Sequence, residues 1–259
     1  MGAVSHTSSY QGVRHIVVDN LGAGSITVEP GSQPSLVETT IDADEERFVD
    51  QVQIRHDHEW LRVSFPQQFL RFANAHLRLG VPDGLTYVIK TGSASVSISA
   101  DMGPSKIVSG SGNISIGKAV DLDCSSGSGD ISVARVEGRA ARLNSGSGDV
   151  SVGEAHCPVT AKSGSGDVVL QSLEGGNLQA NSGSGDIGIT STSGSVDLRS
   201  ASGSLTIAVA DNLATWLDLN SVSGDIRIAL ESTAPPEPGE PYISVRARTA
   251  SGDIGIYRA

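Results

Sequence analysis

Four aspartates recur at nearly even spacing, Asp130, Asp149, Asp167 and Asp186, each directly after a glycine (Gly129, Gly148, Gly166 and Gly185). If each step is one turn of a stack, their carboxylates form a ladder with rungs about 4.8 Å apart. Unit charges at that spacing repel by roughly 1 kcal/mol per neighbour even in water. A cation would relieve the repulsion, as in the Ca²⁺-binding rolls built from Gly-Gly-x-Gly-x-Asp nonapeptides. The local spacing here is Gly-x-Gly-Asp, once per about eighteen residues, and other copies place Ser95, Asn113 and Ser204 at the same position. What the set shares is a short hydrogen-bond acceptor rather than a charge, which is what a corner uses to hold backbone N–H groups. The ladder therefore reads first as structural corners and second as a metal site.

His56 and His58, in His56-Asp57-His58-Glu59, would share one strand face and offer two metal ligands. They fall between the apolar stretches 52–54 and 60–65, where a polar hairpin turn is expected, and the turn is the preferred reading. Gly183-Ser184-Gly185-Asp186-Ile187-Gly188 spells the dinucleotide fingerprint, but that motif needs a helix to hold the pyrophosphate, and a β pattern follows. Sugar-cleaving sites pair carboxylates in a groove with aromatic platforms. The outward rows Asp123, Arg142, Gln179, Asp197 and Asn144, Lys162, Asn181, Arg199 are mixed and hold no aromatic. No catalytic residue and no cofactor are expected.

The elements that position these residues come from a repeat. Nine copies of a small-residue corner, an Asp, Asn or Ser, and two β-formers two apart run from Ser95-Val96-Ser97-Ile98 to Asp253-Ile254-Gly255-Ile256. The steps between copies are 18, 17, 19, 18, 19, 18, 21 and 28 residues. Taking the Asp, Asn or Ser as position zero, position −8 is apolar in all copies but one and −6 is apolar throughout. Position −4 is always Ser or Thr, and −2 always Ser. That is one strand with an inward and an outward face. The next apolar pair sits at +1 and +3, so the inward parity flips. Glycine at −1 marks that corner, and its conformational freedom is the expected reason. The corner pairs Gly129-Asp130, Gly148-Asp149, Gly166-Asp167, Gly185-Asp186, Gly224-Asp225 and Gly252-Asp253 carry the signal. A second corner near +8 holds Gly138, Gly175 or Gly194.

The expected fold is all-β, a parallel β-solenoid with coils of about 18 residues and a less regular N-terminal β cap. Residues 1–12 read as a flexible tail, 13–85 as the cap, and 86–259 as the array, interrupted by a Pro-rich loop at 233–241. Phe48, Trp60, Phe65, Phe69 and Phe72 suit a larger core in the cap. With 4% aromatic and 38% hydrophobic residues over 259 positions, the chain suits a stack whose small inward residues sum over repeats. No apolar run approaches the ~20 residues of a membrane helix, and no secretory leader is legible. The expected location is cytoplasmic. A net charge of −11 argues against nucleic acid and anionic membrane surfaces. Cys124 lies on the inward −6 row and Cys157 at a +8 corner, so no disulfide is expected.

The repeated Ser-Gly-Ser-Gly-Asp-Ile-x-Val resembles the bacterial β-strand-repeat family called "putative adhesin", domain of unknown function 4097. So do Leu21-Gly22-Ala23-Gly24-Ser25-Ile26-Thr27-Val28 and Leu79-Gly80-Val81-Pro82-Asp83-Gly84, and the resemblance covers about residues 13 to 259. It implies a parallel β-solenoid without an assigned activity, associated with bacterial envelope or stress operons. The functional expectation is a non-catalytic scaffold for protein interaction or assembly. Its alternative is a carbohydrate- or metal-binding module, and third comes a polysaccharide-active enzyme. Partners would be an unknown protein or a second copy, met at the C-terminal end, where nothing after Ile256 covers the final strands unless the loop at 233–241 folds over Ile254 and Ile256.

Overall fold

A computed structural model describes residues 4–44, 46–66, 74–211, 213–231, 240 and 242–259. The chain forms two compact units, Met1–Val133 and Ala134–Ala259. Each is built of parallel coils in the expected solenoid manner, with one four-residue helix among the described residues.

The first unit contains β1 (Val4–Gln11), β2 (His15–Leu21), β3 (Ala23–Pro30), β4 (Leu36–Ala43), α1 (Glu46–Val49), β5 (Gln53–Asp57) and β6 (Trp60–Ser64). It continues with β7 (Asn74–Val81), β8 (Thr86–Thr91), β9 (Ser95–Ile98), β10 (Ser105–Ser109) and β11 (Ile114–Ser126), and β12 (Ile131–Ser145) contains the boundary. Strands β8, β10 and β11 stack in register, Ile89 beside Ile107 and Ile107 beside Cys124. Val96 of β9 lies beside Ile114. The stacking order then departs from the chain order. β2 sits between β6 and β8, and β3 between β7 and β9, all parallel. Residues 15–30 are thus a coil inserted under the coil 60–81. Antiparallel strands close that end, with β5 on β6, β4 on β7 and β1 on β4.

Two expectations need correction here. Within the segment 1–12 read as a flexible tail, Val4–Gln11 form strand β1, paired over its whole length with β4. Its sequence, VSHTSSYQ, shows no regular apolar alternation, so periodicity could not reveal a strand held by its backbone ladder. Trp60, expected in the core, is exposed and lies 4.3 Å from the His15 ring. Leu61 and Val63 point inward, and strand parity then turns Trp60 outward. Phe48 and Phe65 are buried and stack at 6.2 Å. Phe69 and Phe72 lie outside the described residues.

The second unit contains β13 (Val150–Ala155), β14 (Val159–Ser163), β15 (Val168–Leu173), β16 (Asn177–Ser182), β17 (Ile187–Thr192) and β18 (Ser195–Ser200). Then come β19 (Leu205–Val209), β20 (Ala214–Ser223), β21 (Ile226–Ile228), β22 (Tyr242–Ser251) and β23 (Ile254–Arg258). Inward rows run straight through the stack: Leu143, Ala161, Ala180, Leu198 on one side and Val152, Leu170, Ile189, Ile207 on the other. The order is again inverted at the edge. Leu198 pairs with Ala247 and Ile207 with Ile256, so β22 and β23 follow directly on β18 and β19. β20 and β21 lie beyond them, Leu219 beside Ala247 and Ile228 beside Ile256.

The expectation that Ile254 and Ile256 form an open end is therefore overturned. Both are buried, between β19 and β21. The outermost coil is 214–228, and the cover comes from these strands. The Pro-rich loop expected at 233–241 lies outside the described residues, apart from Glu240.

Glycine has a different task at each corner. At the second corner Gly138, Gly175 and Gly176 adopt positive φ of 96°, 73° and 75°, where the missing Cβ is needed for the backbone turn. At the main corner none of Gly129, Gly166, Gly185, Gly224 and Gly252 has positive φ. Steric room between coils is the reason instead. A Cβ built on Gly166 would stand 2.4 Å from the carbonyl oxygen of Gly148, and one on Gly185 2.2 Å from that of Gly166. The main-corner glycines let successive coils touch backbone to backbone.

Candidate functional site

The corner residues singled out by sequence form a hydrogen-bonded spine. Asp149 Oδ1 accepts the backbone N–H of Asp167 at 2.8 Å, Asp167 Oδ1 that of Asp186 at 2.8 Å, and Asp186 Oδ1 that of Ser204 at 2.7 Å. Asp253 Oδ1 accepts from the N–H of Asp225 at 2.9 Å, and Asn113 Oδ1 from that of Asp130 at 3.0 Å. Each acceptor thus ties its coil to a stacked neighbour. The amide of Asn113 does the same work as a carboxylate.

A second lock was missed in the sequence. The Ser or Thr at −4 stands out in the sequence only as one more residue of the inward face. In the structure Ser182 is buried, its Oγ accepts the N–H of Gly185 at 2.9 Å, and its hydroxyl donates to the Gly166 carbonyl at 3.1 Å. Ser163 and Ser200 repeat the pattern. An invariant hydroxyl on an otherwise apolar face was the available signal, since buried polar atoms need partners.

His56 lies on β5 and packs against the Tyr10 ring at 5.4 Å, while His58, at φ +51°, forms the hairpin turn and bonds Asp57 at 2.6 Å. Among the described residues, no three His, Cys, Asp or Glu side chains are placed to hold a metal ion. Gly183 and Gly185 of the fingerprint-like segment belong to a corner followed by strand β17. Cys124 and Cys157 are free and buried, and burial, reinforced by Asp123, pushes the Cys124 thiol up to about 12. A thiol with so high a pKa is a packing group rather than a nucleophile.

Two surface features of the second unit stand out. Its outward rows cross five strands in the order β14, β16, β18, β22, β20. One row is Thr160, Gln179, Asp197, Arg246, Asp218 and the next Asn177, Ser195, Ser244, Trp216. An open groove of about 510 Å³ runs over these rows from β14 to β22, lined among others by Thr160, Asn177, Gln179, Asp197, Ser244 and Arg246. Its charges are paired. Asp197 accepts from Arg199 at 3.0 and 3.1 Å, and Asp218 accepts from Arg246 at 3.0 Å and Arg248 at 3.2 Å. The Arg246 hydrogen bond, aided by Arg248, holds the Asp218 carboxyl below the usual carboxylate range. Trp216 and Tyr242, 51% and 54% exposed, stand on this same face. The expectation of outward rows without aromatics covered −7 and −5 only; Trp216 is at −9 and Tyr242 at −11.

The second feature is the uncovered coil. Ile226 and Ile228 are 43% and 51% exposed, whereas their neighbours Ile254 and Ile256 are 1% and 0% exposed. All four are inward residues of equivalent register, and only the coil stacked above differs. Val222 is exposed on the same coil.

The sequence pattern of the Toastrack family, DUF4097, matches residues 49–257. No curated protein matches the chain. Among solved structures, a "putative lipid binding protein" from Parabacteroides distasonis is 12% identical, with 98% of this chain and 96% of that one covered and a TM-score of 0.50. "Putative adhesins" from Parabacteroides distasonis and Bacteroides fragilis are each 14% identical, with 98% and 97% covered and TM-scores of 0.48. At such identities the likeness speaks for the fold alone.

Proposed function

For a chain that belongs to the Toastrack family, DUF4097, and leaves one coil of its array uncovered, we propose the role of a non-catalytic interaction scaffold that assembles with a second copy of itself. The carrying observation is the contrast between exposed Ile226 and Ile228 and buried Ile254 and Ile256. An open coil edge offers unpaired N–H and C=O groups beside apolar side chains, and strand addition satisfies both. An identical edge is self-complementary about a two-fold axis. The coil 214–228 supplies fifteen residues, fewer than the roughly 20–30 per side of a stable interface. The dimer is accordingly weak and concentration-dependent. The charge of −11 opposes it at low ionic strength, so added salt favours it. We keep the cytoplasm as the proposed compartment, where two free cysteines stay reduced. No helix among the described residues is long and apolar enough to cross a membrane.

Sedimentation velocity over a concentration series tests the reading. A reversible monomer–dimer equilibrium is expected, strengthened by salt and abolished by Ile228→Lys with little change in melting temperature. A chain that stays monomeric at every concentration and salt level, or an Ile228→Lys variant that dimerises like the parent, overturns it.

A further inference from the structure

The groove on the outward face of the second unit rests on different residues from the uncovered edge. Trp216 pairs across the ladder with Ser244, and Tyr242 with Ala214. Residues 214, 216, 242 and 244 share strand parity, so both aromatics stand on the outward face. They are one strand and two residues apart, a diagonal of about 8 Å from the strand spacing and rise. Beyond them, toward β14, lie the amides of Asn177 and Gln179 and the hydroxyls of Thr160, Ser195 and Ser244. Amides and hydroxyls both donate and accept. Asp197 and Asp218 are satisfied by Arg199, Arg246 and Arg248, so each of these five charged groups already has an opposite partner, with one positive charge in excess, and neither carboxylate is free to hold a cation. Its volume of about 510 Å³ lies within the range of ligand sites.

We propose that this face is a binding site for a neutral, β-linked hexose polysaccharide, with Trp216 and Tyr242 as the platform and Gln179, Asn177 and the Asp197–Arg246 pair as the polar guide. The chemistry of such a chain matches each part. An all-equatorial pyranose presents C–H faces that stack on an indole or phenol ring. Its hydroxyls radiate in the ring plane and exchange hydrogen bonds with groups that both donate and accept. A β-linked chain is an extended ribbon that lies along the flat rows of a parallel sheet, whereas an α-linked chain curls away from it. No bond is made or broken: the site holds the sugar and does not cleave it.

The chain contains two tryptophans, so Trp60→Phe leaves Trp216 as the sole indole. Titrating this protein with cellohexaose, followed by fluorescence and isothermal calorimetry, is expected to give a saturable shift in Trp216 emission with matching heat. Maltohexaose, the α-linked counterpart, is expected to give neither. In the parent background, Trp216→Ala and Gln179→Ala should each weaken calorimetric binding roughly tenfold. Circular dichroism and the monomer–dimer equilibrium should remain unchanged, since both side chains point away from the ladder edge. Absence of saturable binding overturns the proposal. Equal binding of maltohexaose overturns the β-linked class, and full binding by Trp216→Ala overturns the placement. Self-association is read separately in the same samples, so either reading can fail without the other.

Discussion

Each unit inverts the order of two of its coils, yet among the described residues only the first unit closes its outer coil with further strands. In the first unit the coil 15–30 slides under 60–81, and antiparallel strands β5 and β4 then occupy the outer ladders of β6 and β7. In the second unit the coil 242–258 slides under 214–228, and Ile226 and Ile228 are left exposed. Inverting two coils therefore does not itself close a stack; it only decides which coil is outermost. Closure needs strands of the other direction, which break the repeat and give the edge a partner. The coil 214–228, without them among the described residues, is the one suited to meeting another molecule.

The largest effect expected from this contrast is at glycine. A Cβ on Gly24 would lie 1.9 Å from the Ala75 carbonyl oxygen at φ +112°, and one on Gly224 2.1 Å from the Gly252 carbonyl oxygen. At the closed end β4 holds β7 in place, so Gly24→Ala should cost about 4 kcal/mol in urea unfolding. The outermost coil can move away, and Gly224→Ala should cost about 1 kcal/mol. Equal losses would break the comparison. Core truncation should follow the same rule more mildly. Fully buried Leu77 should lose about 3 kcal/mol on Leu77→Ala, and half-exposed Ile228 about 1 kcal/mol on Ile228→Ala.

Hydrogen exchange sharpens the contrast without mutation. Outward-directed amides of β20 and β21 should exchange early in dilute, monomeric protein, while those of β6 and β7 stay protected. Uniform protection at both ends would refute the difference. The smallest effect concerns acid. Asp218 ties the outermost coil to Arg246 and Arg248 of the next, and folding lowers its pKa, chiefly through the Arg246 hydrogen bond. Its contribution is therefore present above the ordinary carboxylate range and is lost as the pH falls through the lowered value. Acidification should speed exchange in β20, and Asp218→Asn should remove that pH dependence.

The repeat made the coils, their inward rows and the acceptor role of the corner aspartates legible. Asn113 and Ser204 in place of Asp were enough to indicate hydrogen bonding over metal binding. Stacking order was not legible. Leu217, Leu219, Ile226 and Ile228 follow the same pattern as Val245, Ala247, Ile254 and Ile256, and a pattern shared by every coil cannot say which lies on which. The one hint was the 28-residue step, long enough to pass over a coil and return. Corner glycines were located correctly but for an incomplete reason, because contact between coils leaves no trace within a single repeat. The proposed binding face escaped because the aromatics beside its groove, Trp216 and Tyr242, stand on different rows from the charged residues they adjoin.

The inverted order at the second end also sets a timetable. On the ribosome residues 214–228 emerge before 242–258, yet the later segment belongs between them and β18–β19. Pairs such as Ser200 and Thr249 close over 49 residues, where most neighbouring coils close over about 18. During that delay Leu198 and Ile207 have no lasting cover, and the coil already made matches them in register. Until the later segment emerges, 214–228 is free to rest directly on β18–β19 in the same register. This coil order is then reached by an insertion rather than an addition, with that contact opened to admit one more coil.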